Sequence, residues 1–355
     1  MKVDPGTRLA PHGPSAGAAS AALSLTAAIC TRGGGRPLER ALESLVRQRP
    51  PPAEILVIDN AAAGDVVRRV AEAYRVVRYI REPIAGLNFA RNRALRETGS
   101  DIVAFLDDDA VADREWSGAL LEVFAEYPHV AACTGRVEAL RLETEAQRLF
   151  EANGGYSRGT EPVRLPEDSG ARKLHGWRAP LIAWAVSVGS GCSLAVRRRV
   201  ALELGGFDCA LDLGDALPGG GDHDMLWRLL GAGHQIVYEP RAVAWHEHRR
   251  ELDDAFRQIA GHQRALVAFL TKSAVAGPDG TRLGVAVFLT WRLLKPGVRL
   301  ARRLFGRDQL PAVALVSMWW NAWRGLIAYP RARRTARRRA AAVEATPERP
   351  AETWG

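Results

Sequence analysis

The feature that most constrains this chain is a rhythm of short, wholly apolar runs separated by segments of helical periodicity. Residues 55–58 (Ile-Leu-Val-Ile) and 102–106 (Ile-Val-Ala-Phe-Leu) are apolar at every position, where a strand with one wet face would alternate. Ahead of the first, Leu38, Leu42, Leu45 and Val46 repeat at helical spacing behind Pro37, a residue preset for the first turn of a helix. The pattern predicts strands at 24–30, 55–58, 76–80 and 102–106, and helices starting at Pro37 and spanning 88–98. Strands apolar on both sides must be covered on both sides, so the fold class is α/β with a mainly parallel sheet flanked by helices. Further on, residues 188–196 and 235–239 read as strands and 222–230 as a helix, while 140–180 reads as an irregular excursion. In open parallel sheets ligands bind beyond the carboxyl ends of the strands. That rule gathers Thr31, Arg32, Asp59, Asn60, Asp107 and Asp109 on one rim.

Charge is divided along the chain. Residues 291–340 hold thirteen Arg or Lys against one Asp, so the net +9 of the chain resolves into +12 there and −3 elsewhere. A nucleic-acid binder would be basic over its body, so no nucleic-acid partner is expected. Two apolar stretches, 283–294 and 310–329, lie at this basic end, the second carrying Trp319, Trp320 and Trp323 with Asn321 and Arg324 at its centre. The first is too short to span a bilayer, and Trp with Arg favours the headgroup interface. A peripheral helix on an anionic membrane surface, a helical cap on the body and a true span are the three readings, the first preferred. Cys30, Cys133, Cys192 and Cys209 show no C-x-x-C pairing and read as small buried residues of a reducing cytosol. The expected location is cytoplasmic, peripheral at the inner face of the plasma membrane. The expected organisation is a disordered leader (1–22), a catalytic domain (23–250), a helical basic extension (251–340) and a disordered tail (341–355). Oligomeric state is not legible.

Four segments carry chemistry. Asp107-Asp108-Asp109 follows an apolar strand, and alternate carboxylates there suit Mg or Mn bridging a diphosphate, although an acidic loop is often only solvated. Gly219-Gly220-Gly221 leads into a helix whose first turn holds Asp222 and Asp224. A cap needs only one Asp, and a carboxylate behind three glycines suits a general base acting on an attacking hydroxyl. His246 is either a metal ligand or a structural imidazole. Gly86 precedes a helix bearing Asn88 and Arg91, an arrangement that favours anions.

Taken in order, these segments resemble the family 2 glycosyltransferases with the GT-A fold, over about residues 23–250. The likeness rests on Ile29-Cys30-Thr31-Arg32, the strand to Asp59-Asn60, the stretch from Gly86 to Asn92, the D-x-D element at Asp107–Asp109, Gly189-Ser190-Gly191-Cys192, Gly205-Gly206-Phe207-Asp208, the Asp222 helix start, and Val237-Tyr238-Glu239-Pro240 leading to Trp245-His246. The resemblance implies a Rossmann-like mixed sheet, a nucleotide-sugar donor and a divalent cation (Mg or Mn). It implies inversion at the sugar, and the peripheral-membrane reading of the basic end suits a glycan, lipid-linked or cell-envelope acceptor. Thr31, Arg32, Asp59, Asn60, Gly86, Arg91, Asp107 and Asp108 would hold the donor, with Asp59 facing the base and Asp107 the ribose. Asp109 and His246 would hold the metal. Many members carry an acidic residue where this chain has Gly221, which leaves Asp222 or, second, Asp224 as the base. Nucleotidyl transfer is disfavoured because the turn after the first strand offers Arg32 and Arg36 but no lysine. A catalytically silent binding module is disfavoured by the intact Asp107, Asp109, Asp222 and His246.

Overall fold

A computed structural model describes residues 23–345 apart from 61–63, 175, 177, 278 and 279. The expected leader, and the expected tail beyond residue 345, lie outside the described residues. In chain order the body contains β1 (Leu25–Thr31), α1 (Arg36–Val46), β2 (Glu54–Asp59), α2 (Val66–Glu72), β3 (Val77–Arg81), α3 (Leu87–Glu97) and β4 (Ile102–Leu106). It continues with β5 (Ala110–Ala112), α4 (Trp116–Glu126), β6 (Val130–Ala139), α5 (Glu145–Ala152), β7 (Val163–Leu165), α6 (Glu167–Ala171) and α7 (Leu181–Ser187). Then come β8 (Ser193–Arg197), α8 (Arg198–Glu203), α9 (Gly221–Gly231) and β9 (Gln235–His246).

These strands form one nine-stranded sheet in the order β3-β2-β1-β4-β8-β6-β9-β5, with β7 also on β9. β1, β2, β3 and β4 pair in parallel, β8 runs against both β4 and β6, and β6 and β9 are parallel. The sheet is therefore mixed with one dominant direction, as the apolar runs require. Burial follows the pattern: β4 is buried at all five positions. Ile58, Val103, Phe105, Phe207 and Leu226 pack in the core on one face, and Leu42, Val57, Ala104, Trp116 and Leu120 in the core on the other.

Register carries the site. Because Ala28 stands opposite Phe105, continuing the parallel count sets Thr31 beside Asp108, and their side chains do hydrogen-bond. Two expectations need correction. The strand expected to end at Glu239 runs to His246, because a bulge in which Gly135 faces Glu239 and Arg136 faces Val243 absorbs Pro240, Arg241 and Ala242. Pro240 has no N–H to give a ladder, and a Cβ at Gly135 would lie 2.2 Å from the Ala242 carbonyl oxygen, so glycine permits the close approach. The strand expected over 188–196 is confined to β8, because residues 189–191 turn to aim a backbone N–H at Asp222.

Segment 140–180, expected to be irregular, contains α5, β7 and α6. Helix α5 starts on a capping box formed by Thr144 and Gln147, a T-x-x-Q spacing visible in the sequence.

Beyond the sheet lie α10 (Leu252–Ala276), α11 (Arg282–Leu304), α12 (Ala312–Gly325) and α13 (Ala328–Glu344). Helix α10 buries Ile259, Leu266, Val267, Phe269 and Leu270. α12 lies against it, so close that a Cβ on Gly325 would sit 2.6 Å from Val267. No helix among the described residues is long and apolar enough to cross a membrane, which removes the reading of 310–329 as a span. α13 continues to Glu344, past the start of the expected tail.

Candidate active site

A cavity of about 1060 Å³ opens at the carboxyl ends of β1 and β4. Its walls include Thr31, Arg32, Asn60, Arg91, Asp107, Asp108, Asp109, Asp222 and His246, so segments up to 215 residues apart meet in one space.

Three groups form a set suited to a cation. One ligand atom each from Asp107, Asp109 and His246 lies within 4.8 Å of the others, and His246 Nε2 stands 3.2 Å from Asp109 Oδ1. The two elements are locked together, since Ala110 pairs with His246 across β5 and β9. Carboxylate oxygens with one imidazole fit a hard or borderline divalent ion. Electrostatics agree: burial pushes the Asp107 carboxyl up, and the adjacent Asp109 adds to it. Burial works against Asp109 as well, but His246 draws it below the usual carboxylate range. Burial and the Asp109 charge raise Asp108 to about 7, against its hydrogen bond with Thr31. Acidic groups packed this closely repel one another, and a cation relieves the repulsion.

Asp222 stands on another wall, in the first turn of α9. Gly191 N–H donates to its Oδ2 and its neighbour His223 N–H to its Oδ1, both at 2.8 Å. Burial opposes its charge, but His223 and Arg91 hold the carboxyl below its ordinary value, so it stays ionised. A Cβ at position 191 would lie 2.5 Å from an Arg91 guanidinium nitrogen, so any larger residue there would displace Arg91. Asp224 is elsewhere. It is 1% exposed, bonded by Lys272 at 2.6 Å and by Arg228 at 2.8 Å, and it does not line the cavity. Of the two acids in this turn, only Asp222 faces the space.

The remaining expected residues divide in the same way. Arg32 and Arg91 line the cavity, and Arg91 is buried over the Phe105 and Phe207 rings. Asn60 borders the cavity, but its amide is spent on the loop before α3, donating to the Glu82 and Ile84 carbonyls and accepting from Gly86 N–H. Asp59 is fully buried at the end of β2, where Tyr79 donates to it at 2.7 Å, and neither it nor Gly86 forms the wall. Gly86 is a turn residue at φ 148°, a value that suits glycine.

Several wall residues were not anticipated. Asp212, at a positive φ of 51°, accepts from Gly221 N–H at 2.7 Å and lies 3.7 Å from Arg91. Burial raises it to about 6. Its only sequence signal is an acidic residue in a Leu-Asp-Leu-Gly turn, which is indistinguishable from a loop. Tyr156 packs edge-on against His246 at 5.0 Å, and His262 on α10 is pushed down by burial to about 4, hence neutral.

Comparison with known proteins bears on family and fold. The pre-mycofactocin glycosyltransferase of Mycobacterium tuberculosis is 28% identical over 284 residues, 78% of this chain and 54% of that protein. The succinoglycan biosynthesis protein ExoM of Rhizobium meliloti is 30% identical over 62% of this chain and 65% of its own length. The chain spans about half the length of the first of these relatives. Among solved structures, a mannosyltransferase from Pyrobaculum calidifontis, determined with GDP-Man and Mn2+, superposes with a TM-score of 0.56 at 20% identity, over 89% of this chain and 87% of that one. That likeness carries the GT-A fold. The description "Glycosyl transferase family 2" matches residues 26–204, half of the chain, and the chain belongs to that family.

Proposed function

We propose that the protein is an inverting glycosyltransferase that moves a sugar from a nucleoside-diphosphate donor to an acceptor hydroxyl. The observation that carries this reading is the placement of the ionised Asp222 and the Asp107–Asp109–His246 set on different walls of one cavity. Asp107, Asp109 and His246 would hold a divalent ion, Mg or Mn, whose charge neutralises the departing diphosphate. Thr31, Arg32 and Arg91 border the space for the nucleotide and its phosphates, and Asp108, tied to Thr31, steadies the loop between them. Asp222 accepts the proton of the acceptor hydroxyl as its oxygen bonds to the anomeric carbon. The bond from that carbon to the diphosphate oxygen breaks on the opposite face, so configuration inverts without a covalent enzyme intermediate. Arg91 and the Gly191 and His223 N–H groups hold the base in place.

The outer faces of α11 and α12 support a peripheral site at an anionic membrane surface. Trp320 and Trp323 are exposed on α12, which packs against the arginine-rich α13, and Leu283, Leu304 and Phe305 are exposed at the ends of α11. Aromatic residues with basic ones suit the headgroup boundary. A glycan, lipid-linked or cell-envelope acceptor fits that position.

The test is donor turnover with Mg or Mn across a panel of nucleotide sugars. Release of free sugar and nucleoside diphosphate upholds glycosyl transfer. Release of pyrophosphate would point to nucleotidyl transfer, and binding without turnover to a silent module.

A further inference from the structure

Away from the acidic end the same cavity changes sign. Its wall there is formed by α10 and α11. Arg292 and Lys295, three residues apart on α11 and so on one helical face, line it together with Gln263 and Met318. Tyr156, edge-on to His246, and His262, whose ring lies 6.3 Å from that of Tyr156, line the same cavity.

The cations at this end are poorly compensated. Arg292 donates from Nη2 to Gln263 Oε1 at 2.6 Å, and its Nε is buried with no hydrogen-bond partner among the described residues. The charged groups acting on Lys295 are Arg292, Arg299 and Asp308, and Asp308 is already held by Arg299 through bonds of 2.6 and 2.8 Å. Burial, reinforced by these like charges, brings Lys295 down to about 8 and Arg292 to about 10. Partly buried cations without counter-charge are costly to a fold, and among the described residues no ion pair joins Arg292 or Lys295 to a carboxylate, the bond of Arg292 going to the neutral Gln263. A pair of inward-facing cations with free donors is what a phosphate-class oxyanion requires.

We propose that Arg292 and Lys295 bind a phosphate-class anionic group of the acceptor, so that the substrate receiving the sugar is itself a phosphorylated molecule. This rests on the glycosyl-transfer reading. It adds the acceptor's chemical class and the side chains that read it. The donor phosphates are gathered at the acidic end around the cation set, and the acceptor phosphate sits against Arg292 and Lys295. In that arrangement the acceptor spans the cavity, with its hydroxyl toward Asp222.

The experiment is calorimetric titration of the full chain with orthophosphate and, separately, with dodecyl phosphate, both with divalent ions chelated. Lys295→Met and Arg292→Gln should each weaken binding by about tenfold or more, as loss of a charged hydrogen bond implies, while Asp109→Ala should leave it intact. Tighter binding of dodecyl phosphate than of orthophosphate assigns a lipid phosphate, and equal binding assigns a soluble one. Nucleoside diphosphate binding with Mn provides the separation. If the wild type fails to bind it, the glycosyl-transfer reading fails. If Lys295→Met loses it, the cationic end serves the donor and the acceptor assignment is overturned. Unchanged phosphate affinity in both cationic variants overturns it as well. Lys295→Met should melt no lower than the wild type, since it removes an uncompensated charge, and a lower melting temperature would mark Lys295 as structural.

Discussion

Replacing Asp222 by Asn is the most informative single change. The two side chains have nearly the same shape, and an amide oxygen still accepts one of the two backbone N–H groups that now meet the carboxylate at 2.8 Å, from Gly191 and His223. The side chain therefore stays in place, and the main loss is the ability to take a proton. General-base catalysis contributes about 10²- to 10⁴-fold, equivalent to roughly 2.7–5.4 kcal/mol of barrier. Turnover should fall by that factor, measured as nucleoside diphosphate released per second with saturating donor and Mn. Donor affinity should stay within about threefold, because the missing interaction forms with the acceptor and not the donor. Asp224→Asn is the control. Its carboxylate is closed off by Lys272 and Arg228, so it should lower stability without an equal loss of turnover in the protein that remains folded. Wild-type turnover in Asp222→Asn, or a greater loss in folded Asp224→Asn, would refute the assignment of the base.

Four other outcomes follow from the same geometry. Asp109→Ala should abolish metal-dependent donor binding in calorimetry while leaving metal-independent binding unchanged. Gly191→Ala should lower turnover by driving a methyl group to within 2.5 Å of Arg91, with the loss largest in kcat. Lys272→Met should cost about 3–5 kcal/mol in denaturant unfolding, since it leaves Asp208 and Asp224 without the ammonium that bonds both at 2.6 Å. Burial alone would raise Asp208, but Lys272 keeps it below its ordinary 3.8; that stabilisation is full above pH 3.8 and is lost as pH falls through the lower folded value. Trp320→Glu with Trp323→Glu should reduce co-sedimentation with anionic vesicles, and high salt should weaken what binding remains.

The sequence made the sheet legible because β1, β2 and β4 are buried on both sides, and apolar runs that short, bounded by polar and turn residues, suit strands. The rim was legible for the same reason, since polar residues following such strands have one place to go. Asp107 and Asp109 follow β4 in that way, whereas Asp222 is read from the glycines before α9 and His246 from the resemblance; all four line the one cavity. What the sequence hid was set by tertiary pairing. Asp59 ends β2 and Asn60 follows it, yet Tyr79 on the neighbouring strand and the loop before α3 take up their side chains. Asp212 enters the site because a positive-φ turn swings its carboxylate under Gly221, and that conformation leaves no periodic trace. The cationic wall was obscured by the basic end around it: Arg292 and Lys295 look like two of thirteen charges until α11 turns them inward.

The pairing of Ala110 with His246 has a consequence for how the site comes into being. Asp109 and His246 are 137 positions apart, and they face each other only after β9 has docked between β6 and β5. The chain must therefore complete its sheet before a cation can find both partners. An intermediate lacking that final strand would hold the acidic triplet but not the imidazole, and would grip the ion weakly. On the proposed role of these residues, competence to bind the donor would report that assembly is finished, and a fault in the β9 bulge would appear as lost metal affinity.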